Sequence, residues 1–172
     1  MGCASSRPPD DVSAAQVQVL VSSWDKHEPF FYFVRRTTVL SCTTPSLPRM
    51  QELRDGGKLT KIHVSLTAAF RGEGIIKSIL FVSHRWEEKE SPDIQGAQLK
   101  ALQEYLWDHP EAEYIWFDYS CMPQWHAGKD GKNGRTPAED REFEHMLGAI
   151  ADLYLTARVL ILLDGSYASR FW

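Results

Sequence analysis

Three apolar runs, Ile79-Leu80-Phe81-Val82, Tyr114-Ile115-Trp116-Phe117 and Val159-Leu160-Ile161-Leu162-Leu163, recur at intervals of some 35 to 45 residues, and an amphipathic segment separates each from the next. This alternation constrains the chain more than any other feature. Short, nearly continuous apolar runs rich in β-branched and aromatic residues suit strands buried on both faces. Strand, helix, strand, helix, strand is the βαβ grammar of a parallel sheet with helices on its faces. The reading is an α/β fold with a flavodoxin-like open parallel sheet, three of whose strands are recognisable.

The element ends are marked by local chemistry. The first strand is expected over 75–83. Ser91-Pro92-Asp93 offers an N-cap with proline behind it, Leu99, Leu102, Tyr105 and Leu106 share one helical face, and His109-Pro110 ends that helix. A second strand follows at 114–118. Thr136-Pro137-Ala138-Glu139 has the capping-box spacing, and Phe143, Met146, Leu147, Ile150 and Tyr154 form an apolar stripe behind it. The third strand is expected over 158–164.

The region before residue 75 is less regular. Residues 1–11 read as a lipid-anchor and linker segment, residues 12–74 as an amino-terminal extension of mixed structure, and residues 75–172 as the α/β domain. Met1-Gly2-Cys3-Ala4-Ser5-Ser6 fits the pattern for myristoylation of Gly2. One such chain holds a membrane only marginally, and palmitoylation of the adjacent Cys3 would supply the second signal. The alternative is a chance match at a frayed terminus. From Val12 to Trp24, apolar Val17, Leu20, Val21 and Trp24 recur at helical spacing, the pattern of one amphipathic helix, and Phe30-Phe31-Tyr32-Phe33-Val34 suits a strand or a core plug.

Charge narrows the partners. Residues 75–172 carry 10 basic and 16 acidic side chains, a balance that repels phosphate backbones, and no basic run releases counterions, so nucleic acid is excluded as an expected partner. Three cysteines without C-x-x-C spacing and a start without an apolar signal region suit a reducing, cytoplasmic setting, on the inner leaflet if Gly2 and Cys3 are acylated.

In open α/β sheets the ligand crevice lies beyond the carboxyl ends of the strands. The candidate ligand residues are therefore Ser83, His84, Arg85 and Trp86 after the first strand and Asp118 after the second. A cation, a carboxylate, a hydroxyl and an aromatic plane suit a polar, ring-bearing molecule such as a nucleotide. The competing reading has Asp118 capping its loop and paired with Arg85. Cys121 with His84 has the composition of a thiolate–imidazole dyad, although a buried, inert thiol is the favoured reading. Cys121, His126 and His145 lack tight zinc-ligand spacing, so no metal site is expected. Gly128, Gly131 and Gly134 open no helix through a Gly-Lys-Ser/Thr step and are loop glycines.

Phe81 through Trp86, Ser91-Pro92-Asp93 with Gln98-Leu99, and Ile115 through Gln124 together resemble a TIR-like family of algae and other protists, with a looser similarity to fungal heterokaryon-incompatibility domains. The similarity spans about 75–172. Phe81-Val82-Ser83-His84 stands where TIR domains carry their first strand, and Trp116-Phe117-Asp118 where the second leads into the partner-contacting BB loop, here 119–135. Ser166 through Trp172 is similar to the family's Ser…Ser-x-x-Trp segment. The resemblance implies a membrane-tethered signalling or interaction module that associates with itself or with other TIR-like domains. It implies further that the sheet is incomplete at Trp172. The alternative is a fragment of an NAD-cleaving enzyme, with NAD as its substrate, whose catalytic Glu lies beyond that residue; no catalytic residue is then assigned within the chain.

Overall fold

The computed structural model of the chain describes residues 28–88, 91–125 and 134–163. The expected acylation sites Gly2 and Cys3, the helix expected over 12–24, His126, and the segment Ser166 to Trp172 lie outside the described residues. Among the described residues no helix is long and apolar enough to cross a membrane.

Among the described residues the fold is α/β, with an open five-stranded sheet. In chain order it contains β1 (Phe30–Arg35), α1 (Arg36–Leu40), α2 (Met50–Asp55), β2 (Leu59–His63), α3 (Leu66–Phe70), β3 (Ile79–Ser83), α4 (Ala97–Asp108), β4 (Tyr114–Trp116), α5 (Asp118–Cys121), α6 (Pro137–Thr156) and β5 (Arg158–Ile161). The strand order is β2-β1-β4-β3-β5. The three strands expected from the apolar runs pair in parallel with β3 in the middle, Leu80 opposite Ile115 and Phe81 opposite both Trp116 and Val159. Ile79, Leu80, Phe81 and Val82 are at most 1% exposed, as a central strand covered on both faces requires. From β3 the chain passes through α4 to β4 on one side, then through α6 to β5 on the other. By the rule that parallel crossovers are right-handed, connections running in opposite directions from the middle of the sheet set their helices, α4 and α6, on opposite faces.

The sheet is mixed rather than wholly parallel, because β1 runs antiparallel to both β4 and β2. The division expected near residue 75 therefore does not separate two cores: the aromatic run at Phe30 is a strand of the same sheet, with Phe31, Phe33 and Val34 fully buried in one cluster with Leu80 and Ile115. The reason is the edge of β4, whose unpaired backbone groups would otherwise lie open. Arg36 reinforces the join, its guanidinium donating at 2.7 Å to the Leu106 carbonyl at the end of α4.

Besides β4 ending at Trp116 and β5 at Ile161, short of the expected 118 and 164, two element starts differ from expectation. Residues 75–78 form a 3-10 turn, not the start of the first strand, because Gly74 enters at φ +67° and the Ser78 hydroxyl donates back to the Ile75 carbonyl. The helix expected to begin at Ser91 begins at Ala97, preceded by Gly96 at φ +74°. Gly96 holds its N-cap position, and the first-turn N–H groups are met by Asp93, not Ser91: the buried carboxylate accepts from the backbone N–H groups of Gln98 at 3.1 Å and Leu99 at 2.8 Å. At α6 the capping box forms as expected. Thr136 Oγ1 accepts from Glu139 N at 3.2 Å, and Glu139 Oε2 accepts from Thr136 N at 2.8 Å.

Candidate functional site

A cavity of about 530 Å³ lies between α6 and the carboxyl end of β4. That volume falls in the range of roughly 300 to 1,000 Å³ typical of small-molecule sites. Its inner wall is the Trp116 ring, the last residue of β4, which stacks on Phe81 with centroids 4.9 Å apart and meets Tyr154 of α6 edge-on. The far wall is the part of the α6 stripe that the sheet does not cover. Met146 and Leu153 point into the core and are fully buried, whereas Phe143, Leu147, Ile150 and Tyr154 line the opening, and Leu147 remains 53% exposed. A 20-residue helix with an apolar face wider than the strip it covers leaves a wall of this kind.

The mouth is polar. Trp86, Asp118, Gln124, Trp125 and Arg135 stand around it. Asp118 opens α5 immediately after β4, and its carboxylate gathers three donors. His84 Nε2 donates to Oδ1 at 2.8 Å, the Trp86 indole N–H donates to Oδ2 at 3.0 Å, and the Tyr119 backbone N–H donates to Oδ1 at 2.5 Å. His84 is buried and stacked flat on Phe117, 3.9 Å between centroids, so its ring holds the carboxylate from behind. Since an ionised carboxylate only accepts, the Nε2 of His84 carries the proton in this bond. Arg135 lies over the Phe143 ring at 4.2 Å and is bound to Asp140 at 2.9 Å.

The loop that follows is braced from the amino-terminal region. Gln51 donates to the Gln124 carbonyl at 2.9 Å, Ser120 donates to the Pro48 carbonyl at 2.8 Å, and Gln124 donates to the carbonyls of Asp118 and Met122. Residues 48–51 thus hold the cavity mouth in shape.

Of the five ligand candidates, Trp86 and Asp118 line the cavity, and His84 sits behind Asp118 as its support. Ser83 and Arg85 are not among the lining residues. The Ser83 carbonyl accepts from Leu162 N in the sheet, and the Arg85 carbonyl accepts from the Gln98 side chain. The ion pair weighed between Arg85 and Asp118 does not form; His84 and Trp86 take its place. Trp116, Trp125, Arg135 and the α6 wall were missed by sequence reasoning. The Phe143, Leu147, Ile150, Tyr154 half of the stripe was visible, but nothing local distinguished the covered half from the open one.

The alternative chemistries are separated in space. Cys121 is fully buried, and burial pushes its thiol up to about 12, far from a thiolate at neutral pH. Its sulfur faces the Ile115 carbonyl and the Phe117 N–H at 3.5 Å, while His84 is committed to Asp118, so no dyad forms. His145 accepts from the Phe30 backbone N–H at 3.3 Å and stacks on the Phe30 ring, beside β1 and away from Cys121.

No protein-family model, characterised protein or solved structure matches the chain.

Proposed function

We propose that the chain is a small-molecule-binding α/β module that takes a flat, ring-bearing polar ligand in the cavity between β4 and α6. The observation that carries this reading is the cavity itself, apolar and aromatic within and polar at one mouth, at the carboxyl end of a parallel strand. Trp86, Phe143 and Tyr154, which line the cavity and are only partly buried, supply aromatic surface for stacking, and the fixed Asp118 carboxylate supplies a hydrogen-bond acceptor at the rim. The test is calorimetric titration with adenosine, nicotinamide and NAD beside Trp86→Ala and Asp118→Ala variants. Binding of at least one ligand, weakened in both variants, supports the reading; no heat from any of them would sink it.

The setting proposed for this site is a TIR-like signalling or interaction module held at the cytoplasmic face of a membrane through acylated Gly2 and Cys3, associating with itself or with other TIR-like domains. Support comes from the sequence resemblance and from the order β4-β3-β5, in which the first strand of the parallel set lies between the second and third. A Gly2→Ala variant is expected to leave the membrane fraction, and an unmodified Gly2 in the amino-terminal peptide by mass spectrometry would refute the anchor. The second reading, part of an NAD-cleaving enzyme, rests on the same strand order. It requires a carboxylate beyond Trp172, and nicotinamide release by a longer natural form but not by residues 1–172 would support it.

A further inference from the structure

We infer that the chain pairs with a second copy of itself through β5, the two strands running antiparallel about a two-fold axis at Ile161 and joining two sheets into one. The inference rests on the self-association proposed above and specifies the surface that carries it.

Among the described residues β5 pairs with β3 alone, so its outer edge is open. On the inner side the Leu162 N–H donates to the Ser83 carbonyl at 2.9 Å. Backbone groups alternate in direction along a strand, so Val159, Ile161 and Leu163 turn their N–H and C=O groups outward. Their side chains are poorly covered as well, Ile161 being 51% and Leu163 75% exposed. An open, apolar edge is a template for another strand, and natural sheets commonly guard against it with lysine, proline or a bulge. The opposite edge of this sheet is guarded in that way: Lys58 precedes β2 and Lys61 stands at its centre. Residues 159–163 contain no charge, proline or glycine. One edge is protected from pairing and the other is built for it.

What this edge fits is its own sequence reversed. Residues 158–164, Arg-Val-Leu-Ile-Leu-Leu-Asp, laid antiparallel on themselves about Ile161 set Ile161 on Ile161, Leu160 on Leu162, Val159 on Leu163 and Arg158 on Asp164. Each apolar residue meets an apolar one, and opposite charges meet at both ends. In the same register the hydrogen-bonded pairs are Ile161 with Ile161 and Val159 with Leu163, the residues whose backbone groups already face outward. Arg158 is bound to Glu111 of its own chain, and the five donors of a guanidinium leave others for a second carboxylate. Copies lying parallel in register would set Arg158 against Arg158 instead. The antiparallel contact uses one patch twice and closes at two chains.

Sedimentation equilibrium of the 172-residue chain is expected to show a monomer–dimer equilibrium. Ile161→Lys places like charges opposite each other at the axis and should weaken the dimer about tenfold or more. Register is read by mild oxidation, with the unsubstituted chain beside it to account for the native cysteines. Opposed residues of a hydrogen-bonded pair have Cα atoms about 5.5 Å apart, within disulfide reach, so Ile161→Cys should give a disulfide-linked dimer. In Leu163→Cys the two thiols belong to positions four residues apart along the strands, roughly 13 Å, and should stay unlinked. If Ile161→Lys does not fold, the two cysteine variants decide. A dimer that Ile161→Lys leaves intact, or equal linkage of both cysteine variants, overturns this interface while leaving self-association through another surface. A chain that stays monomeric at about 1 mM overturns both, and is the outcome if residues 164–172 cover the edge of their own chain.

Discussion

Gly96 shows how one residue can couple two distant segments. It sits at φ +74° before α4, and a Cβ built there would lie 2.5 Å from the Pro45 carbonyl oxygen. Both the left-handed backbone and the contact exclude a side chain. Gly96→Ala is expected to cost about 2 kcal/mol or more, since strained backbone alone commonly costs roughly 1 to 3 kcal/mol and the clashing atom is itself backbone. A denaturant midpoint equal to wild type would show that the loop at Pro45 yields freely. Cys121 makes a different prediction at the same scale. With its thiol pushed up to about 12 by full burial, it should be inert to a disulfide reagent in the native chain and react at once in denaturant, while half-buried Cys42 reacts in both. Rapid native labelling of Cys121, read by peptide mass spectrometry, would contradict this packing.

At the scale of elements, α6 carries the most weight, because one face closes the core and another walls the cavity. Its first turn is fixed twice over by Glu139, which completes the capping box and pairs with Arg54 of α2 at 2.5 Å. Burial raises the Glu139 carboxyl, but bonds from Thr136 and Arg54 outweigh that and leave it below the usual carboxylate range. A carboxyl whose pKa is lower folded than unfolded stabilises the fold above its unfolded pKa, and that contribution is lost as pH falls through the folded value. Glu139→Gln should therefore destabilise the chain at neutral pH and shrink the acid-side loss. Parallel stability–pH curves for the two proteins below about pH 4, near the ordinary Glu pKa, would argue against this pairing. The neighbouring Glu142 extends the same anchor, accepting from Tyr32 of β1 at 2.8 Å and pairing with Arg54 at 3.3 Å.

At the scale of the whole molecule, β1 and β2 extend the sheet that the three parallel strands begin. A fragment of residues 75–172 loses the pairing of Val34 with Ile115 and the fully buried Phe31, Phe33 and Met50. It is expected to keep helical signal by circular dichroism but to lose its cooperative thermal transition. A transition as sharp as that of the full chain would mean that residues 28–74 are an appendage after all.

Much of this architecture was legible from residues 75 to 163 alone, because helix and strand periods and capping chemistry are local properties. The three parallel strands, the stop at His109-Pro110 and the capping box at Thr136 all follow from neighbours within a few positions. The ends that involved glycine were less legible. Gly74 and Gly96 take positive φ, and the reach of the Asp93 carboxylate across five and six residues depends on the path they impose. What only the tertiary structure decided was partnership. The Phe30 run could have been a plug or a strand until the open edge of β4 claimed it, and Asp118 could have taken Arg85 until His84 and Trp86 proved to be within reach. The cavity belongs to the same class. It exists because α6 returns over the sheet with a stripe wider than the strip it covers, and because residues 48–51 brace the loop at its mouth. Periodicity tells a residue which way to face along its own element, whereas the identity of what it meets there is set by chain segments that lie dozens of positions away.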